Sequence, residues 1–212
     1  MNRSLLLGAL IALEGGILGA RALWAETSVE NYFPLAIGNR LVYESGEHSG
    51  ASSVVESWGV MRQEQNAFAL QITLDNDSLS SFETFFVLAP TGIRRLAHEP
   101  QSQGTEEGEP LFVLKAPLTV GATWDNEDGR YEVTAVQKTA TVPAGTFPNC
   151  VEVTHHSRGD RVTVVTLYAP GVGVVIRDET FPRLEGSGGF DSTRRDHVTL
   201  QLKEWTVARR EE

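Results

Sequence analysis

The chain has 212 residues, enough for one domain and marginal for two, and it carries a formal net charge of −10. That balance argues against nucleic acid and anionic membrane surfaces as partners, because the arginine pairs 94–95, 194–195 and 209–210 are isolated and form no basic patch. Its single cysteine, Cys150, rules out an internal disulfide and reads as a small buried hydrophobe beside Val151 and Val153.

The chain opens with Arg3, an apolar run over residues 5–13 and small residues up to Gly19, with Ala20-Arg21-Ala22 fitting an A-x-A cleavage site. Residues 1–25 read as a secretory signal peptide, cleaved after Ala22 or Ala25. Glu14 interrupts the apolar run and argues against a membrane span, since a carboxylate is costly in lipid. Cleavage removes Arg3, Arg21 and Glu14 and makes the mature chain one unit more acidic. The expectation is an exported, periplasmic or extracellular bacterial protein with no transmembrane span in its mature part, and one β-rich domain over residues 26–212.

From Gly38-Asn39 onward, extended runs alternate with turn signals. Residues 40–46, 53–62, 67–75, 80–88 and 93–97 read as strands, and Phe68, Leu70, Ile72 and Leu74 show the cleanest period of two in the chain. Residues 99–110 read as an acidic loop, 111–114 as a short strand, and 131–138 as another alternating run. Between 139 and 178 punctuation and strand alternate: Pro143, Gly145 and Pro148 break the chain, and 149–156, 161–168 and 174–177 extend. Residues 184–192 read as a loop, and Val198, Leu200 and Leu202 alternate in the last strand. The expected fold is all-β: one antiparallel domain of about 11–12 short strands, forming a curved sheet, an open barrel or a sandwich.

One phrase occurs twice. Pro34-Leu35-Ala36-Ile37-Gly38 leads to Leu41, and Pro117-Leu118-Thr119-Val120-Gly121 leads to Trp124. Both read as one local device, a proline-led approach, a glycine turn and an apolar anchor dropped into the core. Gly38, Gly121, Gly145, Gly171 and Gly173 are the expected turn glycines, and the last two flank a single valine.

No set of reacting groups stands out, so no catalytic residue is assigned. His155 and His156 are adjacent in a strand and point to opposite faces, so they cannot chelate one metal together. His155 shares a face with Val151 and Val153. The 125–129 run lacks the spaced ligands and closing glutamate of a calcium loop and reads as a plain turn. There is no G-x-S-x-G, and the Gly-Val-Gly at 171–173 is no phosphate cradle. No metal and no cofactor are expected. The aromatics are more informative. Phe85-Phe86 places a ring on each face of one strand, as in a two-layer core or a sheet around an apolar cavity. If a cavity exists, Trp58, Phe85, Tyr131 and Tyr168 are the candidate ligand-binding residues.

The phrase from Pro34 through Gly38 to Tyr43, then Ala144-Gly145-Thr146-Phe147, then the 168–175 run Tyr-Ala-Pro-Gly-Val-Gly-Val-Val, resembles a broad group of uncharacterised bacterial exported proteins and lipoproteins. Leu41 stands where the group usually has tryptophan, and the lipid-accepting cysteine of many members is missing. The resemblance implies an extracytoplasmic β fold and no activity. The leading expectation is a non-catalytic envelope protein that binds an apolar or amphipathic small molecule, or docks an envelope protein by an edge strand. The rivals are a hydrolase whose site assembles only in three dimensions, marked by a concave cluster of histidine and carboxylates, and a structural accessory domain.

Overall fold

Twelve strands and one helical turn make up the computed structural model, which describes residues 28–45, 55–64, 67–75, 80–96, 111–184 and 190–208. The expected signal peptide and the acidic loop at 99–110 lie outside the described residues. The helical turn α1 (Val29–Tyr32) precedes a first run of strands: β1 (Arg40–Ser45), β2 (Val55–Glu64), β3 (Ala67–Asp75), β4 (Ser80–Ala89), β5 (Gly92–Leu96) and β6 (Leu111–Lys115). The second run is β7 (Thr123–Asn126), β8 (Gly129–Val142), β9 (Gly145–Ser157), β10 (Thr163–Ala169), β11 (Gly173–Leu184) and β12 (Phe190–Thr206).

Each run is a six-stranded antiparallel meander, and the two join where β1 pairs with β12, giving the order β6-β5-β4-β3-β2-β1-β12-β11-β10-β9-β8-β7. The sheet curls until its outer strands meet, forming a nearly closed barrel. No backbone ladder joins β6 to β7. Side chains bridge them instead: Asn126 accepts from the Phe112 amide at 3.2 Å and donates to the Phe112 carbonyl at 2.9 Å, and the Trp124 indole donates to that carbonyl at 2.9 Å.

The period-two expectation for β3 corresponds to an inward row. Leu70 and Ile72 are buried in the core, and Phe68 and Leu74 pack against it. The other side of the sheet carries cross-strand ion pairs such as Arg62–Glu83 at 2.8 Å and Lys203–Glu44 at 3.1 Å, worth a few tenths of a kcal/mol each at such exposure. Two sequence boundaries shift. Pro148 lies inside β9, where three register shifts in the β8–β9 hairpin leave bulges that do not need its missing amide. The loop expected over 184–192 is shorter, because Phe190 already pairs with Leu184.

The repeated phrase forms the same hydrogen bonds twice. Gly38 donates to the Val60 carbonyl (3.0 Å), Asn39 to Ala36 (3.0 Å), and the Val60 amide returns to Asn39 (2.9 Å). Gly121 donates to Val133 (2.9 Å), Ala122 to Thr119 (3.0 Å), and the Val133 amide returns to Ala122 (2.9 Å). A second likeness lies at the fourth turn of each meander, Ala89-Pro90 before Gly92 and Ala169-Pro170 before Gly173.

One end of the barrel is plugged by α1 and residues 33–35. Val29, Tyr32 and Leu35 are buried there, and the Tyr32 hydroxyl donates to the Asn149 carbonyl at 3.0 Å. Buried Asn39 ties this plug to the segment after β12, donating to the Pro34 carbonyl and accepting from the Ala208 amide, each at 2.8 Å. The Gly171 amide donates to the Asn31 carbonyl at 2.6 Å.

All five turn glycines have positive φ, from +75° at Gly171 to +133° at Gly145. At Gly173, with φ +110°, an added Cβ would meet Leu41 and Pro34 at an ordinary 3.6 Å, so the backbone alone sets the cost. Replacing Gly171 or Gly173 with valine should destabilise the protein by about 1–3 kcal/mol. Urea denaturation checks this, and an unchanged midpoint for both variants would sink the claim.

Candidate functional site

The inward rows of β2 to β11 enclose a cavity of about 250 Å³. Its deep end is aromatic. Phe33, from the plug, lies 5.1 Å from Phe86 and 6.3 Å from Tyr168 between ring centres. Trp58, Leu70 and Val174 continue this buried wall, and Tyr43 behind it lies 5.0 Å from Trp58 and donates to the Val174 carbonyl at 3.0 Å. Moving two residues at a time along the strands leads outward: Trp58 to Glu56 on β2, Phe86 through Thr84 to Phe82 on β4, Tyr168 through Thr166 to Val164 on β10. Phe82, at the outer level, is 51% exposed, whereas Phe86 is 6% exposed. The cavity therefore runs from an apolar floor to a polar mouth.

Charged and polar groups converge at that mouth. The Tyr131 hydroxyl donates to Asp128 Oδ2 at 2.9 Å, and its ring is sandwiched between Trp124 (5.4 Å) and His155 (4.2 Å), nearly parallel to both. Arg95 approaches the same carboxylate oxygen at 3.9 Å, and His155 Nε2 lies 3.9 Å from Asp128 Oδ1. Both of these last atoms are buried and have no hydrogen-bond partner among the described residues. Across the barrel, the Trp58 indole donates to Glu56, and Arg177 pairs with Glu179 at 2.5 Å.

Burial sets the protonation states. It raises the Tyr131 hydroxyl well above its usual value, with the Asp128 charge adding to the effect, and it raises Tyr168 to about 12. Both are neutral donors at pH 7. Burial lowers the pKa of His155, against the pull of Asp128, so the neutral imidazole is favoured.

Among the candidate residues read from sequence, Trp58, Tyr131 and Tyr168 line one cavity. Phe85 does not. It is buried on the other side of β4, with the Arg62 guanidinium 5.5 Å above its ring. Sequence reasoning missed Glu56, Arg95, Asp128 and Arg177, and it placed His155 on the face of Val151 and Val153 without assigning it a role. Strand alternation could have found Glu56 and Arg95, which share parity with Trp58 and Ile93. It could not have found Arg177. Val174 faces the cavity, and only the register shift between Leu167 and Tyr168 turns Arg177 to the same side.

Among the described residues bordering the cavity, the aliphatic hydroxyls are those of Thr84 and Thr166, and no cysteine is present. The Cys150 thiol is buried elsewhere, donates to the Phe147 carbonyl at 3.2 Å and has its pKa raised by burial. No group of three metal-ligating side chains occurs among the described residues. A larger groove of about 860 Å³ lies outside the plug, along Val29, Tyr32, Leu88, Pro117 and Leu118, but it gathers no comparable charged cluster.

No protein-family model matches the sequence, and no curated protein matches it. Solved structures do. An exported-protein candidate from Bacteroides fragilis, described as having a YmcC-like fold, aligns with a TM-score of 0.51 over 82% of this chain and 98% of its own. This chain's fold resembles it. An inferred lipoprotein from Parabacteroides distasonis aligns with a TM-score of 0.45 over the same shares. Each is 13% identical to this chain, so the YmcC-like likeness is one of fold.

Two variants test the mouth. Tyr131→Phe removes the hydroxyl from Asp128 and should cost about 1–2 kcal/mol, read as a lower denaturation midpoint. Because burial lowers the pKa of His155, the unfolded chain takes up that proton more readily than the folded one. The contribution of His155 is intact above the free-histidine pKa of about 6.5 and is lost as pH falls through the lowered folded value. His155→Gln should therefore flatten the decline in stability below that pH, and identical slopes in the two proteins would count against the assignment.

Proposed function

We propose that this chain is an exported, non-catalytic β protein of the bacterial envelope that holds a small amphipathic molecule in its barrel. The observation that carries the reading is the graded cavity. Phe33, Phe86 and Tyr168 offer a dry floor for an apolar part, and Glu56, Arg95, Asp128 and Arg177 offer a polar mouth for a head group. The leader-like pattern over residues 1–25 supports export, as does the fold likeness to an exported-protein candidate. Trp58, Tyr131 and Tyr168 are the proposed binding residues; Phe85 drops out of that set.

A hydrolase is the second reading, favoured by the approach of His155 to Asp128 in a concave site. Among the described residues bordering the cavity it has no serine or cysteine nucleophile.

Native mass spectrometry of the mature chain, purified from the envelope without detergent, tests the proposal. A stoichiometric small-molecule adduct is expected, lost after solvent extraction. It should also be lost in Thr84→Trp, whose indole would occupy the cavity, with Val164→Trp as a second blocking variant should the first fail to fold. A clean, empty wild-type protein, or an adduct that survives in a folded blocking variant, would overturn the reading.

A further inference from the structure

The charges at the mouth are ordered. In the sheet, β5, β2, β11 and β8 hold the second, fifth, eighth and eleventh of twelve places, one every third strand around the barrel. They carry Arg95, Glu56, Arg177 and, in the turn that opens β8, Asp128. The sign alternates at each step. The two arginines stand six strands apart on opposite walls, and the two carboxylates stand on the other pair of walls.

The internal repeat generates this pattern. Arg95 pairs across the sheet with Phe86 and Arg177 with Thr166, and each partner stands three residues before the alanine of its own Ala-Pro turn. Each carboxylate accepts a hydrogen bond from the aromatic residue that pairs with the anchor of the repeated phrase: Trp58, opposite Leu41, bonds Glu56, and Tyr131, opposite Trp124, bonds Asp128. One arginine and one carboxylate–aromatic pair therefore occur once in each half of the chain.

These groups leave binding capacity unused. Arg95 reaches Asp128 only at 3.9 Å, beyond hydrogen-bond distance, and Asp128 Oδ1 has no partner among the described residues. An anionic head group attracted to Arg95 would lie between Glu56 and Asp128, with Glu179 beside Arg177 adding a third negative charge. A cationic head group drawn to the carboxylates would lie between the two arginines. Arg95 and Arg177 are half-exposed, so solvent weakens both repulsions without abolishing them. A head group with both signs meets an opposite charge on every wall.

We propose that the barrel mouth selects a zwitterionic head group over an anionic or a cationic one. This rests on the amphiphile reading above and deepens it by naming the ligand class. The selectivity comes as much from repulsion of single charges as from attraction.

Titration calorimetry with three probes sharing an octyl tail tests the proposal: octyl betaine, octanoate and octyltrimethylammonium, each as monomer. The betaine should bind about tenfold or more tightly than either single-charge probe. Arg95→Gln, with Arg177→Gln as the independent second variant, should narrow the gap between betaine and octyltrimethylammonium several-fold. It should also widen the gap to octanoate. A single-charge probe that binds as well as the betaine overturns this proposal and leaves the amphiphile reading standing, as does an unchanged preference in both folded variants. Failure of all three probes, together with an empty native protein, overturns both.

Discussion

Closure of the sheet is the constraint on which the rest depends. A twelve-stranded antiparallel sheet has two edges, and each presents unpaired amides and carbonyls that attract other strands. Here β6 and β7 come together without a ladder, and one carboxamide supplies what a strand would have supplied. Asn126 accepts from and donates to the backbone of a single residue, Phe112, and the Trp124 indole adds a second donor to the same carbonyl. Because Trp124 also lies against Tyr131, and Tyr131 against His155, the seam and the cavity wall form one continuous stack of rings. Closing the barrel and building the mouth are thus a single packing event.

Sequence made the fold legible because its signals are local. The 3.3 Å step and two-residue period of a strand are written directly in Phe68, Leu70, Ile72 and Leu74, and the turns between strands are written in glycine and proline. The repeated phrase was legible as one device used twice, and the matching hydrogen bonds of Gly38 and Gly121 agree with that reading. Pro148 misled because its local meaning, a break, is overridden by bulges that only the hairpin partner reveals.

The site was legible in part, for the same reason. Aromatic residues on strands mark an interior, which brought Trp58, Tyr131 and Tyr168 into view, but Phe85 and Phe86 look alike until the sheet curls and one of them lies outside. The polar half was hidden. Arg177 faces inward through a register shift, and Asp128 sits in a turn whose sequence signals nothing beyond a turn. Such groups acquire meaning only from what stands across the barrel, a distance no local pattern encodes.

The double use of one device has a mechanical side. The segment between β6 and β7 is the single covalent crossing between the two meanders, and it runs beside the seam that side chains hold. A nick there would leave two half-shells of six strands held only by non-covalent contacts. Their rims match one another, β1 with β12 through a full ladder and β6 with β7 through Asn126. The covalent link thus sets the local concentration of two complementary halves, and the molecule is held together as a pair that happens to share one chain.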